Sequence, residues 1–164
     1  MNHNKGYTLL FAVLLTTVIL SISVSILTIA RKEVILSSSA KESFSAVYIA
    51  DGALDCAILN DRTGAFTSNG NESINCGYSY DYVPVTHTTF GSTGSDHRYT
   101  FYIKSFDAVT FSPCAKVTVD RYASPARTVI EARGYNMGYD PTAGTCGASH
   151  PKKVERAFRY SYTN

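Results

Sequence analysis

From Gly6 to Ala30 the chain carries no charged side chain, and Lys5 and Arg31 close the run at its two ends. As a helix this segment is about 37 Å long, enough to cross a hydrocarbon core of roughly 30 Å. The helical pattern continues past Arg31, because no proline occurs before Pro84 and no glycine between Gly6 and Gly52. Leu36, Ala40, Phe44, Val47, Ala50, Leu54 and Ile58 then recur at spacings of three and four, which predicts one apolar helix face that requires a partner. Lys32, Lys41, Glu42 and Asp51 fall mostly off that face. A continuous helix over 8–59 is about 78 Å long, so its second half, 31–59, is expected to leave the bilayer and dock on a folded domain.

The pattern changes after Leu59. Residues 60–98 are rich in Gly, Ser, Thr, Asn and Tyr and read as a long connecting loop. Four strand-like runs follow, at 99–106, 114–121, 127–135 and 154–162. In the first, Tyr99, Phe101 and Ile103 alternate with Thr100, Tyr102 and Lys104; in the second, Ala115, Val117 and Val119 alternate with Lys116, Thr118 and Asp120. A hairpin closed around Ala123-Ser124-Pro125 sets Val119 opposite Ile130 and Val117 opposite Ala132, with Thr118 facing Glu131 on the other side. The last run puts Val154, Phe158, Tyr160 and Tyr162 on one face. Residues 136–153 contain too much Gly and Pro for regular structure. A small antiparallel sheet (99–164) laid against the long N-terminal helix gives an α+β fold.

Composition sharpens this picture at two points. The four cysteines, Cys56, Cys76, Cys114 and Cys146, all lie beyond the apolar run and are widely spaced, which favours two disulfides in an exported domain over a metal site. Three pairings are open. A net charge of +2 is too mild to name a polyanionic partner.

The N-terminus separates the kinds of membrane segment. A cleavable secretory signal has a short apolar region ending at a small-residue site, whereas this run is about twice that length and passes without a break into charged sequence. The opening Met1-Asn2-His3-Asn4-Lys5-Gly6-Tyr7-Thr8-Leu9-Leu10 resembles a type IV prepilin: a short polar leader, Lys-Gly, an aromatic residue, Thr and a leucine-rich run. The resemblance implies a leader at 1–6, cleavage after Gly6 by a membrane-embedded prepilin peptidase, and methylation of the new amine on Tyr7. It further implies a transmembrane and assembly helix at 7–30 and an extracellular domain at 31–164. Residues 50–57, Ala50-Asp51-Gly52-Ala53-Leu54-Asp55-Cys56-Ala57, resemble the end of the helical spine in certain bacterial pilin-like proteins. In pilins the segment between spine and sheet is surface-exposed, and a disulfide commonly holds the C-terminal loop. That likeness favours Cys114 with Cys146, and tethering the 60–98 loop to the spine favours Cys56 with Cys76.

One residue departs from the family. Most pilins carry glutamate as the fifth residue after the cut, where it meets the N-terminal amine of a neighbouring subunit; here that position is Phe11. The departure points to a minor or tip subunit, or to assembly by apolar packing alone. The expected partners are other pilin subunits, the prepilin peptidase and the membrane.

Nothing in the chain predicts catalysis or a cofactor. His3, His87, His97 and His150 are scattered with no metal-ligand spacing between them, although His97 follows Asp96, and no nucleophile elbow or phosphate loop occurs. Asn71-Glu72-Ser73 is a glycosylation sequon of the kind that arises often by chance. Lys152, Lys153, Arg156 and Arg159 beside Tyr160 and Tyr162 form the densest basic cluster, but Glu155 interrupts it and a solvated strand edge is favoured over a nucleic-acid surface. The expected function is structural: a subunit of a bacterial type IV pilus or pseudopilus serving attachment, motility, secretion or DNA uptake. The rival is a single-pass, membrane-anchored extracellular binding protein that never polymerises.

Overall fold

A computed structural model describes residues 5–66, 73–76, 82–91, 94–104, 113–147 and 153–163. One helix, α1 (Lys5–Arg62), is followed by β1 (Ser73–Asn75), β2 (Tyr82–Pro84), β3 (Thr86–Phe90), β4 (Asp96–Lys104), β5 (Cys114–Ala123), β6 (Ala126–Tyr135), β7 (Tyr139–Asp140), β8 (Thr145–Cys146) and β9 (Glu155–Thr163). The fold is α+β, with an antiparallel five-stranded sheet ordered β3-β4-β5-β6-β9 and two small hairpins, β1-β2 and β7-β8. The chain divides into two compact units, Met1–Lys41 and Glu42–Asn164. Residues 31–41, expected to belong with the domain, are exposed throughout and group with the first unit.

Within the second unit the hairpin register is the one the alternation predicts: Val119 pairs with Ile130, Val117 with Ala132 and Thr118 with Glu131. Phe101, Val117, Val119, Ile130 and Ala132 are fully buried on the inner face of the sheet. The helix covers them with a stripe that overlaps the expected one, since Ala50 is buried and Val47, Leu54 and Ile58 are half-buried, but its closest contacts shift to neighbouring alanines and its first residues drop out. Ala46, Ala50, Ala53 and Ala57 are buried, whereas Phe44 is 61% and Leu36 67% exposed. The reason is the distance of approach. A Cβ added to Gly134 on β6 would overlap the carbonyl oxygen of Ala46 and lie 2.8 Å from Ala50 Cβ and N, so helix and strand meet backbone to backbone. Only methyl-sized side chains fit between them.

The helix ends at Arg62, three residues later than expected, in a Schellman arrangement: Ala65 N donates to Asn60 O (2.9 Å), Gly64 N to Asp61 O (3.2 Å), and Gly64 takes φ 77°. That turn drops Phe66 into the core, with ring centroids 5.1 Å from Tyr99 and 6.0 Å from Phe101. The 60–98 segment is therefore not a plain loop. It supplies the buried residues Phe66, Ile74 and Val85, three short strands and the first residues of β4. Likewise the 136–153 segment, read as irregular, holds the β7-β8 hairpin. The predicted inward row on β9 is only half covered, Phe158 being 36% and Tyr160 40% exposed. Five strands span about 19 Å and one helix about 10 Å, so a lone helix leaves a sheet edge bare.

Candidate functional site: the apolar helix and its anchorage

The first half of α1 is apolar on every side. Every residue from Tyr7 to Lys41 is exposed, and α1 is long and apolar enough to cross a membrane. Such a helix must satisfy its own polar groups where no water reaches. Its hydroxyls do this without outside help: Thr16 Oγ1 donates to Val13 O (2.9 Å), Thr17 to Leu14 O (2.8 Å) and Ser21 to Val18 O (2.8 Å). One turn on, Ser23 donates to Ile19 O (2.8 Å), Ser25 to Ser21 O (3.0 Å) and Thr28 to Val24 O (2.8 Å). All six hydroxyls between 16 and 28 are thus returned to the helix backbone, which removes the cost of placing them in hydrocarbon. Counting charges along the sequence does not reveal this, though the Ser/Thr spacing within a helix does.

The Gly6–Tyr7 bond lies in the first turn of α1, although an extended peptide is expected at a protease cut. The first turn is held by few intrahelical hydrogen bonds, so opening it costs little. Tyr7 is 72% and Phe11 56% exposed, and no carboxylate stands between Tyr7 and Ala30.

At the other end α1 is tied down by side chains from three elements. Asp61 is buried; its Oδ1 lies 3.0 Å from Arg121 Nε on β5, an ion pair rather than an aligned hydrogen bond, and its Oδ2 accepts from the Tyr162 hydroxyl on β9. Arg121 also donates to Phe66 O (2.6 Å). Burial first, and then the bond to the Asp61 carboxylate, push the Tyr162 hydroxyl up to about 12. Disulfides join Cys56 to Cys76 and Cys114 to Cys146, with Cα–Cα distances of 5.5 and 5.6 Å. The first clamps β1 to the helix, where Asn60 Nδ2 also donates to Cys56 O (2.9 Å) and Asn75 O (3.3 Å). The second clamps the β7-β8 hairpin to the start of β5.

Two sequence expectations change. His87 and His97 are not scattered: β3-β4 pairing brings His87 Nε2 within 3.0 Å of His97 Nδ1, and both rings stack with Tyr99. Among the described residues they belong to no group of three or more metal-ligating side chains. His3, His150, Asn71 and Lys152 lie outside the described residues. The basic cluster also divides, because residues three apart on a strand face opposite ways. Arg156 pairs with Gly134 and donates to Ser43 Oγ (3.0 Å) on the helix side, whereas Arg159 lines the outer face opposite Glu131. Lys153 sits over the Tyr135 ring at 4.5 Å.

The outer face of the sheet is a ladder of charges. Arg98 holds Asp120 through two bonds of 2.6 and 2.8 Å, Arg133 bridges Glu131 and Glu155, and Arg98 stacks on Phe90. Lys116 and Arg159 line the same shallow groove. No family model matches the chain, and neither a curated protein nor a solved structure matches it.

Proposed function

We propose that this chain is a structural subunit of a type IV pilus or pseudopilus. In this reading it is made with the leader 1–6, cut after Gly6, methylated on Tyr7, and held in a bacterial membrane with its N-terminus in the cytoplasm. It then joins an extracellular filament through its apolar helix. The observation that carries the reading is the division along α1. Bulky apolar side chains with internally satisfied hydroxyls occupy the first half, and an alanine stripe packed on a disulfide-clamped sheet occupies the second.

Phe11 fits assembly by packing and lipid exclusion, because no carboxylate is present at that depth to meet a neighbour's amine. The same absence favours a second placement, as a minor or tip subunit. The binding-protein rival shares the anchor but needs neither processing nor polymer.

N-terminal mass analysis of the chain from its native membrane tests the reading. The expected product begins at Tyr7 and carries an added methyl group. Retention of Met1, or a cut beyond Ala30, would contradict it.

A further inference from the structure

We propose that His87 and His97 form a two-histidine binding site for a divalent metal ion of the zinc and copper class, and that the ion pins the edge strand β3 to β4. The site is independent of the filament assignment.

Strand register builds it. His87 stands opposite Tyr99 and His97 opposite Thr89, so the two histidines are diagonal neighbours across β3 and β4, on the face that carries Tyr99. Tyr99 is 3% exposed and gives the imidazoles a fixed floor, its ring centroid lying 4.9 Å from that of His87 and 6.4 Å from that of His97. Both histidines are half-buried, so the pair stays within reach of solvent. Their centroids are 5.2 Å apart while His87 Nε2 and His97 Nδ1 are 3.0 Å apart, so nitrogen faces nitrogen.

That spacing is the one a metal needs. Bonds of about 2.0–2.1 Å at square-planar or tetrahedral angles set neighbouring ligand nitrogens about 2.8–3.4 Å apart. The ion would sit beside the line joining the two nitrogens, which requires a modest turn of each ring about χ2, a broad torsion in histidine. The neutral pair shares one hydrogen between its facing nitrogens, and coordination uses the lone pairs of both. The hydrogen therefore moves to the other nitrogen of the ring that carried it, and no proton is released. Neither imidazole makes another hydrogen bond among the described residues, so nothing opposes that shift.

The surroundings suit a weakly held cation with open positions. Arg121 is the residue opposite His97 on β5, but its charge is already met by Asp61 and it also donates to Phe66 O. Asp96 accepts from Ala123 N, and all four cysteines are in disulfides, so neither that carboxylate nor a thiolate competes for the ion. Water fills the remaining coordination positions. β3 gains most from such a clamp, because it is an edge strand of five residues without an aliphatic side chain.

The test uses the full-length, detergent-solubilised chain with zinc chloride as the probe. Long-range proton–nitrogen NMR of the wild type should show zinc moving His87 Nε2 and His97 Nδ1 to the shifts of metal-bound imidazole. Amide exchange across Thr86–Phe90 should slow about tenfold once zinc reaches about ten times its dissociation constant. His87→Gln/His97→Gln should abolish the slowing, whereas His3→Ala/His150→Ala, which leaves both rings in place, should keep it. The wild-type spectrum is read without any substitution, so a poorly folded double variant does not decide the matter. Zinc that shifts only His3 or His150, that shifts no imidazole in excess, or that leaves the β3 amides exchanging as before would overturn the proposal.

Discussion

The two halves of α1 share a backbone and differ in almost everything attached to it. In the first half, leucine, isoleucine and valine point in every direction and remain exposed, and serine and threonine spend their hydroxyls on the helix itself. In the second, the buried positions are alanines, and the polar groups that are buried, Asn60 and Asp61, bond to other elements. Size thus reports the surroundings. A helix meant for lipid or for other helices keeps large apolar side chains on all sides, while a helix laid on its own sheet gives up side-chain volume for backbone proximity.

The sharpest way to break the second half is at its closest approach. Gly134→Val should destabilise the domain by about 3 kcal/mol, lowering the melting temperature of the detergent-solubilised chain by about 10 °C. Ala50→Gly should not rescue it, because the nearest atom to the added Cβ is the backbone oxygen of Ala46. Ala53→Leu, which enlarges the stripe without touching β6's glycine, should cost about 2 kcal/mol in the same melt.

Next in size is the anchorage of the helix end. Asp61→Ala leaves Arg121 without its carboxylate, though still bonded to Phe66 O, and should cost about 2 kcal/mol, reduced from a fully buried pair because Arg121 is partly exposed. Tyr162→Phe removes only the hydroxyl contact and should cost about 1 kcal/mol at neutral pH. Its pH dependence has a definite sign. A hydroxyl raised from 10.0 to about 12 adds stability that is fully present below pH 10 and is lost as pH rises towards 12. Urea unfolding of wild type and Tyr162→Phe should therefore converge across that window. Curves that stay parallel would remove the proposed Tyr162–Asp61 contribution.

The smallest expected effect falls in the first half. Leu15→Ala should change the domain's stability by no more than about 0.5 kcal/mol and leave its melting temperature essentially unmoved, since Leu15 is exposed and buries nothing of the second unit's core. A loss comparable to that of Ala53→Leu would erase the distinction between the halves.

Much of this division is legible in the sequence, and the failures have physical causes. An uncharged run is unambiguous, and strict alternation in β5 and β6 fixes both their faces and the register of Val119 with Ile130. The helix face is legible only in its C-terminal part, where Ala50, Leu54 and Ile58 do pack on the domain; hydrophobicity ranks Leu36 and Phe44 above Ala46 and Ala53, and the structure reverses that order. What decides burial is how near Gly134 lets the strand come, which no periodicity records. The strand Thr86–Phe90 escapes notice because its five residues include no aliphatic side chain, and pairing with β4 rather than its own pattern makes it a strand. The His87–His97 contact depends on that same pairing. Asp61 looks like one more surface acid at a helix end until the Gly64 turn and the approach of Arg121 and Tyr162 enclose it.

The most direct test of the central claim is to shear surface filaments from cells that make this chain and quantify it in the purified fraction. The account predicts that mature chain beginning at Tyr7 is recovered there with Phe11 intact. Abundance along the shaft would mark packing alone as sufficient for assembly, and a trace amount would mark the minor or tip placement. Chain found only in the membrane, with none in the sheared fraction, would contradict the account and leave the anchored binding protein in its place.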